Sequence, residues 1–435
     1  MHQTVAGRVH IHRVLILVPV FAVLAVLIGT MMATRDMPTL RAGVILSTLV
    51  FISLPLFWYV ARSDAEGMLL FNVLLLSFGL KLVAMEYRIA GGLLADALVY
   101  NNIGADWADL LANGEWPQIM RYSGTNVVRL ITAFVYLVTG QTLSGISILW
   151  SWLGLIGMLL FYKAFVTAFP GGNRRLYMLL MLLYPSMLLW TSSLGKDALM
   201  MFFAGLTTYG LVRLQKGGGL IGWVWLIVGE GAMLATRPHI AAIFMMALAT
   251  SALIRPVRAG SLTPFIRVAG VVLFLAVSVG VAITAARAVG IENLDAEEVE
   301  QFIGSRQAGG AGERAGSAFT PIDTSTPLGL ALLIPTVLFR PFPWEAHNLN
   351  ALVAAMEGFG LLALVVYRFK SVRSAIKQAT QDSFLLLAVV YMLMFIYMFS
   401  AIANFGIIAR QRVQIYPFVF MLIAYQHYRR DRGVA

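Results

Sequence analysis

Cysteine is absent from the 435 residues, which removes disulfides, thiol catalysis and Cys-based metal sites together. Charge is scarce as well. Only 12% of residues are Asp, Glu, Lys or Arg, against roughly a quarter in an ordinary soluble domain. With 59% of residues hydrophobic, the chain has no surface polar enough for a water-soluble globule. Acid is the scarcer sign, 21 residues against 32 basic, for a net charge of +11. The basic residues stand singly at the ends of apolar runs, with no basic face interleaved by aromatics. Membrane topology therefore accounts for them better than nucleic acid does. The alternating segments of a membrane β-barrel are missing too.

What is present is a series of apolar runs about 20 residues long, the length that crosses a bilayer core of roughly 30 Å. They predict an all-α, polytopic integral membrane helix bundle, a single transmembrane domain over 1–435, with about 12 spans: 14–33, 42–61, 68–86, 143–163, 176–192, 197–213, 219–235, 239–254, 264–287, 349–367, 384–403 and 412–427. The first run follows Arg8 and Arg13 like a signal peptide. It is too long for a typical apolar core of one and no clear A-x-A site follows, so it reads as an uncleaved helix. Two stretches, 127–139 and 328–339, are too short to span and fit re-entrant or interfacial helices. Leaving them uncrossed puts the densest basic groups inside: Arg62, Lys163 with Arg174 and Arg175, Arg213 with Lys216, Arg255 with Arg258, Arg368 to Lys377, and the tail. Both termini are then cytoplasmic. Two long outer loops remain, 87–126 and 288–348. The second contains the acidic piece IENLDAEEVEQF, the Gly-rich GGAGERAGSAF and the re-entrant segment. No inverted repeat of the transporter kind is visible.

Ionisable residues in or beside spans are the informative ones, because they are expensive there unless paired or wet. In this topology a set of them shares the outer side. Asp96 and Tyr100 open the first outer loop. Lys196 and Asp197 sit in WTSSLGKDAL, at an outer turn between two spans. Arg237 and His239 lie in TRPH, at the next outer turn. Arg340, Trp344 and Glu345 lie in FRPFPWEAHN, and Arg410 and Arg412 in NFGIIARQR. Five cations on that face point to something anionic. Each residue also has a structural reading: a helix cap for Lys196 and Asp197, a pair with Glu230 for Arg237, simple packing for His239, an interfacial anchor for Trp344, flanking charge for the last two arginines. In ADALVYNNIGADWADLLANG, Asp96, Tyr100 and Asn101 share a helical face and apolar residues form another. This predicts an amphipathic helix on the outer surface.

The run Asp-x-x-x-Tyr, followed by a Gly and then a small-residue and Leu-rich helix ending in Gly, resembles the GT-C superfamily, membrane glycosyltransferases that use polyprenyl-phosphate sugars. PSMLLWTSSLGKD, TRPH and FRPFPWE are similar to segments of bacterial membrane proteins of polysaccharide assembly. Here the acidic loop follows the third predicted span, whereas the family's follows the first. The resemblance implies an inverting enzyme of the bacterial inner membrane, part of cell-envelope polysaccharide biosynthesis, with an extracytoplasmic site. Asp96 is then the catalytic base. Lys196, Arg237, Arg340, Arg410 and Arg412 bind the carrier phosphate, and Tyr100, Asp197, His239, Trp344 and Glu345 complete the substrate site. No cofactor is implied, and without an Asp-Asp or Glu-x-Asp pair no metal site is assigned.

The chemistry is coherent. A carboxylate deprotonates the acceptor hydroxyl, and arginine forks match the oxygens of the departing phosphate. The leading expectation is thus transfer of a sugar from a polyprenyl-phosphate-linked donor to a glycan or lipid-linked acceptor. The partners are those two substrates and membrane lipids, not nucleic acid. Two alternatives stand beside it. One is a Wzy-like polymerase or O-antigen-ligase-like enzyme acting on polyprenyl-diphosphate glycans. The other is a transporter or flippase of an anionic lipid or glycan, for which Glu230 and Glu357 are the acids deepest in spans.

Overall fold

A computed structural model of the chain describes residues 17–34, 36–119, 122–254, 326–346, 348–400, 402 and 404–426. The elements they form are helices. In chain order these are α1 (Leu17–Ala33), α2 (Met37–Arg62), α3 (Gly67–Ala90), α4 (Ala95–Ala112), α5 (Thr125–Thr139), α6 (Leu143–Ala168), α7 (Arg174–Leu183), α8 (Pro185–Trp190), α9 (Lys196–Gln215), α10 (Gly219–Thr236) and α11 (Pro238–Ile254). Then follow α12 (Pro327–Phe339), α13 (Leu349–Tyr367), α14 (Phe369–Gln378), α15 (Ser383–Ser400), α16 (Phe405–Gln411) and α17 (Tyr416–Ala424). One-turn 3₁₀ helices occupy Pro343–Glu345 and Arg412–Gln414. The predicted span 264–287 and both named pieces of the second outer loop lie outside the described residues.

Local chemistry sets many of these boundaries. Asp36 caps α2 by accepting from the N–H of Thr39 at 3.1 Å, with Pro38 in the first turn, where a missing N–H costs nothing. Thr326 caps α12 through Gly329, Asn348 caps α13 through Ala351 and Asn404 caps α16 through Ile407. Tyr184 precedes Pro185 and is extended, with ψ 130, as the proline ring requires of its predecessor. That residue separates α7 from α8.

The helices divide into two compact units. One is Met1–Lys163 with Arg174–Leu211 and Trp223–Gly229; the other is Ala164–Asn173 with Val212–Gly222 and Glu230–Ala435. In the first unit, α4 and α5 pack as a hairpin. A Cβ on Gly104 would lie 2.5 Å from the Thr132 methyl, so only glycine allows that approach. Glycines also set the α6–α9 crossing, where a Cβ on Gly157 would meet the Met201 carbonyl at 2.3 Å, a small-residue contact of the kind that joins helices in membranes. In the second unit, α11, α15 and α17 share an aromatic core of Phe244, Tyr391 and Phe418. There α13 closes on the end of α12, with Gly358 against the Phe339 carbonyl.

The span count corrects the sequence reading. Among the described residues five helices are long and apolar enough to cross a membrane: α2, α3, α6, α10 and α15. The count rises to seven if two bent pairs are single spans, Ala351–Tyr367 with Phe369–Gln378 at 72° and Phe405–Gln414 with Tyr416–Ala424 at 60°. An architecture of about 12 spans is overturned. Run 176–192 is two short helices, of 10 and 6 residues. Run 239–254 is a helix of 17 residues, and run 412–427 begins in a 3₁₀ turn. The short stretches form α5, of 15 residues, and α12, of 13. Several long apolar helices remain, as a multi-pass membrane protein requires.

Candidate functional site

In the first unit, α8 stops at Trp190 and the next helix begins at Lys196. Between them Thr191 to Gly195 is non-helical and buried, so its backbone groups need partners inside the protein. Lys81 and Arg88, seven apart on one face of α3, supply them. The wholly buried Lys81 donates to the Thr191 carbonyl at 2.7 Å and to its hydroxyl. Arg88 donates to the Leu189 carbonyl at 3.3 Å and to the Ser193 hydroxyl at 2.5 Å. Ser151 of α6 donates to the Ser192 carbonyl at 2.6 Å. Two cations thus close the carbonyl end of α8, the negative end of its dipole. WTSSLGKDAL is therefore a buried helix break. Asp197 is buried in the first turn of α9, where a carboxylate suits the positive end. The Lys196 ammonium lies beside Gly124, 3.7 Å from where a Cβ would be.

The proposed Asp96 face divides. Asp96 is exposed in the first turn of α4, whereas Tyr100 and Asn101 are buried. Tyr100 packs in one core with Ala97, Val128 and Tyr136, and Asn101 accepts from the Tyr136 hydroxyl at 2.6 Å. Their work is to join α4 to α5.

The second unit holds the other predicted residues. Arg340 follows α12 and grips Glu345 with its Nε and Nη2, at 2.9 and 2.5 Å to one carboxylate oxygen. Glu345 also accepts from the Phe342 N–H at 2.7 Å, which folds FRPFPWE into a compact turn. The Arg340 guanidinium lies 5.0 Å from the centre of the Phe405 ring. Trp344 is 76% exposed and stacks on Phe342. His239 packs beside Phe399, and Arg410 is half-buried in the last turn of α16. Arg237 is buried and donates to the Gln411 side-chain oxygen at 2.5 Å; Gln414 donates to the same oxygen at 3.2 Å. Among the described residues Glu230 forms no pair with Arg237, and both its buried carboxylate oxygens have no hydrogen-bond partner.

Arg412 differs from its neighbours. It is 1% exposed. Its Nη1 donates to the carbonyls of Leu338 at 3.0 Å and Arg340 at 2.8 Å, closing the end of α12 as Lys81 and Arg88 close α8. Its Nε and Nη2 are buried and have no hydrogen-bond partner among the described residues. That is the edge whose parallel N–H groups take two oxygens of a carboxylate or phosphate. On Arg340 the corresponding edge is filled by Glu345.

Sequence reasoning missed Lys81 and Arg88, although two cations inside FGLKLVAMEYRI were a readable signal. It also missed Gln411 and Gln414, which no pattern marks. Among the described residues no group of His, Asp or Glu could hold a metal ion. No family model matches the chain, and neither a curated protein nor a solved structure does. The helix count contradicts a GT-C architecture. That architecture is withdrawn, and no comparison supports the transferase and polysaccharide roles that the resemblance implied.

Proposed function

We propose that this chain is a multi-pass membrane protein that binds a phosphate-bearing, lipid-linked substrate, and that Arg412 takes the phosphate. The observation that carries this reading is the buried Nε–Nη2 edge of Arg412, which has no hydrogen-bond partner among the described residues. A buried cation without a full set of partners is costly, and an anion on that edge removes the cost. A polyprenyl phosphate is the first class to test, since a site among membrane helices suits a prenyl chain lying between them.

Helix α13 supports an extracytoplasmic position for this edge. It has 19 residues, about 28 Å at 1.5 Å per residue, close to the roughly 30 Å of a bilayer core. At its first end lie Glu345, exposed Trp344 and, through the Arg340 carbonyl, Arg412. At its last end Arg368 donates to the Ile423 carbonyl, and the basic α14 follows. Positive residues favour the cytoplasmic face, which supports the Arg412 end as the extracytoplasmic one.

The test titrates the purified full chain with a short-chain polyprenyl phosphate and with the alcohol of the same length, reading binding by native mass spectrometry. The phosphate should bind far better than the alcohol. Arg412→Gln should weaken it roughly 10- to 100-fold, from about 1.5–3 kcal/mol for hydrogen bonds to a charged group. Arg412→Lys, which keeps the charge but not the fork, should fall between. Equal affinity of the parent chain for alcohol and phosphate removes the reading. With a sugar on the carrier, turnover lost in Asp96→Asn while binding persists assigns Asp96 as base. Translocation in liposomes without product, lost in Glu230→Gln, makes the chain a transporter of the same substrate.

A further inference from the structure

Helix α14, FKSVRSAIKQ, turns 72° from α13 and divides its circumference into three adjoining faces. Ala375 is buried, as is Ala379 just after the helix, and this face packs on the unit. Next to it around the helix run Val372, Ile376 and Phe369, spaced by three and four residues; Phe369 is 58% and Ile376 51% exposed. Beyond them, on the next face, stand Arg373, Lys377 and Lys370, all exposed. Just before the bend, Tyr367 is 84% exposed and Val366 is exposed too. No acidic residue occurs from Arg368 to Gln381.

We propose that α14 is an interfacial anchor that docks on an anionic lipid leaflet. The order of the faces carries the argument. A helix lying along a bilayer boundary must touch protein on one side, put apolar side chains into the acyl region below, and hold cations among the headgroups above. The three faces of α14 come in that order. Phe369 and Ile376 would otherwise expose apolar surface to water, next to three positive charges in a segment without an acidic residue. The bend adds independent geometry: α13 is apolar, and the chain leaves its axis by 72° where the basic residues begin. Amphipathic helices of this kind bind through apolar burial together with attraction to anionic lipids. The inference rests on the membrane reading alone and is independent of what Arg412 binds.

The absence of cysteine makes the test clean. Ile376→Cys supplies a single thiol for an environment-sensitive fluorophore in the full chain, reconstituted into phosphatidylcholine vesicles with or without phosphatidylglycerol and doped with a nitroxide lipid quencher. The label should be quenched, and more strongly as phosphatidylglycerol is added. Combining Lys370→Gln, Arg373→Gln and Lys377→Gln should abolish that lipid-dependent increment, whereas Arg373→Lys should keep it. High salt should reduce it, because screening shortens the reach of exposed charges. A label as unquenched as one in water overturns the proposal. So does quenching that ignores lipid charge, or an increment that survives in the triple variant.

Discussion

At the scale of single residues, several buried cations among the described residues act on backbone. A helix that ends inside a bundle leaves carbonyls that no water can reach. Lys81 and Arg88 close α8, Arg412 closes α12, and Arg368 reaches the last turn of α17. Of the predicted cations, Arg340 holds Glu345, Arg237 holds Gln411 and Arg412 closes α12, so counting arginines near helix ends overstates an anion site. Asp64 shows the opposite balance. It lies between α2 and α3 and accepts from the Glu66 N–H at 3.1 Å, the Lys163 ammonium at 3.0 Å and the Tyr162 hydroxyl at 2.9 Å. Burial alone would raise its carboxyl, but the Glu66 N–H, Lys163 and Tyr162 outweigh burial and hold it below the ordinary 3.8. With the folded value depressed, its contribution is fully present above the unfolded value and disappears as pH falls through the folded one. Asp64→Asn should lower the melting temperature at neutral pH, by about 1–3 kcal/mol of stability, and should flatten the loss of stability below about pH 4. Thermal melts of both proteins across that range would show equal acid limbs if the carboxylate contributes nothing.

At the scale of elements, the helix breaks are what sequence alone could not show. Hydropathy registers that residues 176–213 are apolar but not that the chain stops being helical twice. Pro185 marks the first break locally. The second, Thr191 to Gly195, depends on two cations more than 100 positions earlier. The hairpin partner of Asp96's helix was equally hidden: the i, i+4 pattern put Asp96 and Tyr100 together, and packing on α5 then buried one and left the other exposed. Glycines at crossings are legible only once the partner helix is known. Gly157→Ala should cost about 1–3 kcal/mol, since its Cβ meets backbone that has nowhere to move. Gly231→Ala, exposed on α10 with nothing within 4 Å, should be neutral or stabilising by about 0.5–1 kcal/mol. Comparing the two in one detergent melt separates a close crossing from general helix propensity. Equal effects of the two changes would contradict the packing account.

At the scale of the whole molecule, composition alone made membrane insertion legible, because 12% charge cannot cover a soluble surface. The number of spans was not legible. A window of 20 apolar residues describes a broken helix pair as readily as a crossing, and five to seven spans among the described residues replace about twelve. The predicted site was legible as a list of residues but not as an arrangement. Asp96, Tyr100, Lys196 and Asp197 belong to the first unit, and the arginines from Arg237 to Arg412 with His239, Trp344 and Glu345 belong to the second. The central claim is that the second unit's Arg412 edge takes a phosphate. The most direct test is photo-crosslinking of the parent chain with a polyprenyl phosphate bearing a diazirine next to the phosphate, with the modified peptides mapped by mass spectrometry. Crosslinks should concentrate in 338–345 and 405–416, and excess unlabelled polyprenyl phosphate should remove them. Crosslinks confined to the Thr191–Lys196 break of the first unit, or spread evenly and unaffected by competitor, would contradict the account.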